Sequence, residues 1–163
     1  MKPIMFLIAT VLAFVIIQSC KKDSTKNNVA KTNNEAIVGT WENPQIYPSA
    51  TGRSQVYIFN QDGTFESKFA VIDPVNNQIV GYTYKSTGKY ALTSNQLVFS
   101  NVTGYSIKDN GTTPVPESQL VNVGQLGANT FSIGFTTKKD SLSMLINCPP
   151  NADCTGITWF QKK

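Results

Sequence analysis

The sequence has no histidine, one arginine and three cysteines in 163 residues, and only 15% of its residues are charged. The lack of histidine excludes the Ser-His-Asp and Cys-His nucleophilic arrangements and removes most zinc sites and general-base schemes. The ten acidic residues are scattered, and no spacing pairs two of them across a cleft as a glycosidase requires. Gly124-Gln125-Leu126-Gly127 falls between predicted strands, with no helix start to bind phosphate. From residue 36 onward no segment carries a 3.6-residue apolar period, so helical architectures are excluded as well. No catalytic residue, metal site or cofactor is expected, and the chain is not read as an enzyme.

The formal charge of +4 also lacks the clustering that nucleic-acid binding needs. Lys2 supplies one positive charge in residues 1–19. Residues 20–35 hold four Lys against Asp23 and Glu35, and residues 36–163 hold nine Lys or Arg against eight acidic residues. The basic balance therefore lies mainly at the N-terminus, and no nucleic-acid partner is expected.

What the N-terminus does hold reads as an address. Lys2 precedes the apolar run Ile4–Ile17, which is shorter than the roughly 20 residues of a comfortable membrane span, so residues 1–19 read as a secretory signal. Residues 21–35 contain no aromatic and only Val29 and Ala30 as apolar residues, which is the composition of a flexible tether. With Cys20 set apart, Cys148 and Cys154 close a short loop containing Pro149 and Pro150. In an oxidising compartment this pair is expected to form a disulfide rather than a metal or redox site.

The remainder, 36–163, reads as strand after strand. The predicted strands are Ile37–Glu42, Gln55–Asn60, Thr64–Val71, Ile79–Leu92, Gln96–Val102, Ser118–Gly124, Thr130–Thr136, Ser141–Asn147 and Gly156–Gln161. Asp62-Gly63 between β-formers marks a hairpin, and Tyr105–Pro116 is rich in turn residues. Short strands at regular spacing predict an all-β domain, and closing a sequentially paired sheet removes its edges. The expected fold is an antiparallel up-and-down β-barrel of about eight strands. Alternation in the fourth strand places Val80, Tyr82 and Tyr84 on one face. Tyr82, Tyr84, Tyr57 and Phe99 are the candidate lining of a ligand cavity, although inward aromatic rows more often fill a core.

Two stretches resemble known families. Ile16-Ile17-Gln18-Ser19-Cys20 resembles the lipobox of bacterial lipoproteins, which implies diacylation of Cys20 and anchoring to the membrane. Outer membrane is the expected location, on its periplasmic or cell-surface side. Ile37-Val38-Gly39-Thr40-Trp41 resembles the Gly-x-Trp element of lipocalins. Phe59-Asn60-Gln61-Asp62-Gly63-Thr64-Phe65 and Gly88-Lys89-Tyr90-Ala91-Leu92 look like the hairpin and strand of bacterial lipocalin-like lipoprotein domains. The resemblance implies a lipocalin-like barrel closed at one end by Trp41 and Gly39, binding a small hydrophobic or amphipathic ligand. It also implies a cation over the indole. Arg53 lies after the first strand and does not match the late-strand arginine of that pattern, leaving Lys162 or Lys163 to substitute. The alternative is a surface interaction or inhibitor protein that binds a protein or glycan through its loops.

Overall fold

A computed structural model describes residues 34–45, 52–147 and 156–163. The Cys20, Cys148 and Cys154 expectations fall outside the described residues. Among the described residues, nine strands follow a short 3-10 turn at Asn34–Ala36. They are β1 (Gly39–Gln45), β2 (Gly52–Phe59), β3 (Thr64–Ile72), β4 (Ile79–Thr93), β5 (Gln96–Ser106), β6 (Val121–Leu126), β7 (Asn129–Phe135), β8 (Ser141–Ile146) and β9 (Thr158–Lys162).

The sheet closes on itself. Each strand pairs antiparallel with the next from β1 to β6. β5 also pairs with β7, the order continues through β8 to β9, and β9 returns to β1. The result is an eight-stranded antiparallel barrel with β6 as an extra strand. β6 and β7 are two halves of one line along β5: Val102 faces Leu126 and Phe99 faces Asn129, so three residues pass on each side and register is kept. The connectivity is the expected up-and-down meander.

The strand boundaries differ from expectation mainly around β5. Alternation continues through Gly104 to Ser106 instead of stopping at Val102, because β6 pairs there and extends the ladder. Residues 107–120 then make an excursion with 3-10 turns at Lys108–Asn110 and Glu117–Gln119.

The meander sorts the connections by length. Tight turns at Asn60–Gly63, Ser94–Asn95 and Thr136–Asp140 share one end of the barrel. The connections 46–51, 73–78, 107–120 and 147–157 all join strand ends at the other. The Asp62-Gly63 turn is hydrogen-bonded as the sequence predicts. Asp62 Oδ1 accepts from the Thr64 backbone N–H at 2.9 Å and from its hydroxyl at 2.6 Å, while Gly63 adopts φ +81°. Only glycine takes that conformation without strain.

The core fills the tight-turn half. Trp41, Phe59, Phe65, Tyr90, Leu92, Leu97, Phe99, Leu142 and Phe160 are all buried and pack as one cluster. Phe65 and Phe99 stack with centroids 4.0 Å apart, and Phe59 meets Tyr90 edge-on at 5.0 Å. Offset and edge-on pairs of this kind add to plain burial of area.

Trp41 plugs this end. Its indole N–H donates to the Ile37 carbonyl at 2.7 Å, so the buried ring leaves no polar group unpaired. Lys162, its partner across β1 and β9, places its ammonium 5.4 Å from the ring centroid. The cation over the indole is thus a lysine from the last strand. Gly39 makes room for it, because a Cβ there would stand 3.1 Å from Lys162 Cε.

Candidate functional site

Among the described residues, the other half of the barrel is open and partly unfilled. Strand register decides which side chains face inward, since directly paired residues share a face and alternate residues change it. Phe59 and Tyr57 belong to the core, so Gln55 and Arg53, two and four residues before Tyr57, share the inward face of β2. On β5 and β6, Val102 pairs with Leu126 and Gly104 with Gly124, so Leu126 also faces inward. The missing Cβ of Gly104 points at the Val123 and Leu126 side chains, 3.0 and 3.1 Å away, so Val123 is inward too.

Phe69, Val121, Val123, Leu126 and Ile146 therefore line an apolar cup at the long-connection end, and all stay between 37% and 52% exposed. Scattered exposed apolar residues are ordinary, whereas these five converge inside one barrel mouth. At its floor lies a pocket of about 150 Å³ lined by Gln55, Tyr57, Phe131, Met144, Ile146, Gly156, Thr158 and Phe160.

The floor carries the polar groups. Gln55 Nε2 donates to the Tyr57 hydroxyl at 3.1 Å, and Ser67 also hydrogen-bonds that hydroxyl. Burial pushes the Tyr57 phenol up to about 12, only partly offset by the Ser67 bond, so it remains neutral and available as a donor. Tyr84 lies near enough to raise it further. Its own phenol is pushed above the usual tyrosine value by burial and drawn back in part by a hydrogen bond with Ser86.

Tyr57, Tyr84 and Phe99 are thus brought to the barrel interior. Phe99 lies in the filled half, with centroids 5.9 Å from Tyr57 and 5.2 Å from Phe131. Tyr82 is not with them, which corrects the expected Val80–Tyr82–Tyr84 face. Phe69 pairs with Tyr84 but Ala70 pairs with Tyr82, so Thr83 is a bulge that reverses the alternation. Tyr82 stands on the outer face, with the Lys68 ammonium 5.8 Å from its ring centroid.

That outer face holds a cluster the sequence did not announce. Lys68 and Lys85 are direct cross-strand partners, a repulsive arrangement if left alone. Glu66 and Glu117 each bridge both of them at 2.6 to 2.8 Å, forming a closed ring of four charges. Glu117 belongs to the 107–120 excursion, so the ring pins that excursion to β3 and β4, helped by the Tyr82–Val115 backbone bridge. Hydrogen bonds from the two lysines hold the Glu117 carboxyl below its ordinary value. At Glu66 burial pushes upward, and the lysines more than offset it. Both acids stay ionised and occupied by lysine.

Ser86 and Lys89 have Ser-x-x-Lys spacing, but Ser86 pairs with Gly104 on the inner face and Lys89 with Ser100 on the outer. Among the described residues no three acidic or thiol side chains gather to ligate a metal. Comparison with known protein families, curated proteins and solved structures returns no match.

Proposed function

We propose that this chain is a lipid-anchored, lipocalin-like envelope protein that holds a small hydrophobic or amphipathic molecule in the open half of its barrel. The observation that carries the reading is the division of the interior. Aromatics fill one half, and the other keeps an apolar wall around a hydrogen-bonding floor, the usual composition of a small-molecule site. The pocket at the floor is smaller than the roughly 300 Å³ of typical ligand sites, so a ligand would extend upward along the wall. Acylation of Cys20 would tether the barrel through residues 21–35, and the signal and Cys20 motif support an outer-membrane location. No enzymatic step is part of this reading.

The test uses N-phenyl-1-naphthylamine, an uncharged apolar dye, with the chain from Lys21 onward, which contains every core residue. Fluorescence enhancement should be saturable and should fall at least about tenfold in affinity when Val123→Trp or Leu126→Trp fills the mouth. Equal binding by both variants and the parent would reject the cup. A second reading, a protein or glycan interaction surface, is favoured by the outer face of β8 and β9. There Trp159, Ile157 and Leu145 are exposed together, and Trp159 is 53% accessible. If Trp159→Ser abolishes partner capture while dye binding is unaffected, that face carries an activity of its own.

A further inference from the structure

Arg53, the chain's only arginine, is on β2 rather than in the loop expected from the sequence, and its register gives it a place in the cup. It pairs with Val71 and stands two residues beyond Gln55 and four beyond Tyr57, so it projects from the inward face at the rim. Val71 opposite it is buried, whereas Arg53 is exposed and makes no ion pair among the described residues.

Among the described residues, the acidic side chains on or beside the strands of this end point away from Arg53 or are held by other groups. Glu42 and Glu66 face outward, and Glu117 is held by Lys68 and Lys85. Asp73, two residues beyond Val71, accepts from the Val75 backbone N–H at 2.8 Å within its own turn. Among the described residues no inward strand position carries a carboxylate. A fixed cation therefore stands at the rim of an apolar cup with no anion supplied by the described part of the protein.

We propose that the cup takes a single-chain amphipathic carboxylate, with its head on the Arg53 guanidinium and its tail running down the Val123–Leu126–Ile146 wall to the Tyr57 floor. Guanidinium presents a planar fork that matches a carboxylate through two parallel hydrogen bonds. Four residues at about 3.3 Å rise put Arg53 about 13 Å along the strand from Tyr57, roughly 10 Å along the axis of a barrel whose strands tilt by about 40°, room for an extended tail of about eight carbons. The inference rests on the cup reading and adds to it the class of ligand and the residue that selects it.

The experiment measures displacement of N-phenyl-1-naphthylamine by dodecanoate and by dodecan-1-ol, both below their aggregation limits, at pH 8. The parent should bind dodecanoate about tenfold more tightly than the alcohol, the scale of one charge-assisted contact at a wet rim. Arg53→Gln should remove that preference while leaving affinity for the alcohol unchanged. Arg53→Lys should restore part of it. Lys89→Gln, which removes one charge from the outer face, should keep the full preference. Equal binding of acid and alcohol by the parent, or a preference that survives in Arg53→Gln, overturns the role of Arg53 and leaves the cup standing. Failure of both compounds and of the dye to bind rejects the cup itself.

Discussion

The closed end of the barrel makes a prediction whose size follows from three residues. Gly39 has φ +130°, Lys162 Cε lies 3.1 Å from where its Cβ would stand, and the Lys162 ammonium lies 5.4 Å from the Trp41 centroid. Gly39→Ala therefore imposes two separate costs. Holding a side-chain-bearing residue at that φ costs on the order of 1–3 kcal/mol. The new methyl also pushes the lysine stem off the indole, and a cation–π contact at an exposed site is worth roughly 0.5–1 kcal/mol. The expected total is about 1.5–4 kcal/mol.

Lys162→Ala alone removes only the second contribution. In the double variant the methyl introduced at position 39 no longer has a lysine to displace, so the two changes should fall short of additivity by about 0.5–1 kcal/mol. Urea unfolding of the four proteins, followed by circular dichroism, measures the cycle. For a domain of this size the Gly39→Ala loss corresponds to a fall in Tm of roughly 3–6 °C per kcal/mol. Strict additivity would refute the contact between Gly39, Lys162 and Trp41. A neutral Gly39→Ala would refute the backbone argument as well.

Three further outcomes follow from other parts of the molecule. Glu117→Gln leaves Lys68 and Lys85 facing each other with only Glu66 between them; it should cost about 1 kcal/mol and speed tryptic cleavage after Lys108, read by gel and mass mapping. Tyr57, raised to about 12, keeps its proton in the folded state between the ordinary tyrosine value and that one, while the unfolded chain loses it. Stability from this group is therefore fully present below pH 10 and should fall by about 2–3 kcal/mol between pH 10 and 12, a slope that Tyr57→Phe removes in alkaline unfolding curves. Cys20→Ser should move the protein from the membrane fraction to the soluble envelope fraction in fractionated cells, and retention in the membrane would count against the acyl anchor.

Much of the fold is legible in the sequence because its signals are local. Asp62-Gly63 sets a hairpin through its own side chain and the φ of its glycine, and the alternation of Tyr90 and Leu92 on β4 continues in the structure. Trp41 is readable as a plug only through the resemblance of Gly39-Thr40-Trp41 to the Gly-x-Trp element of lipocalins. The lysine that covers it is one of the two that could stand in for the missing arginine. The position of Tyr82 is not readable, because a β-bulge leaves no periodic trace: one extra residue at Thr83 puts Tyr82 and Tyr84 on opposite faces. Arg53 reads as a loop residue because it falls between the expected strands Ile37–Glu42 and Gln55–Asn60, whereas β2 begins at Gly52, which pairs with Ile72.

The parts that sequence could not show are those that depend on long closure. The four-charge ring joins residues 49 and 32 positions apart in sequence, Lys68 with Glu117 and Lys85 with Glu117, and no spacing rule reaches that far. The cup is of the same kind. Gln55, Val123 and Ile146 come from three distant strands, and only the shared register of a closed barrel turns their side chains toward one axis. The meander itself also sorts the barrel's two ends. Tight turns gather at the end where Trp41 and the aromatic cluster fill the interior, so burial there supplies stability. The longer connections gather at the other end, where an unfilled interior costs core contacts. An apolar mouth left open against that cost is the feature that ligand occupancy would explain, and the Arg53 and mouth-filling variants act on that end while leaving the aromatic plug untouched.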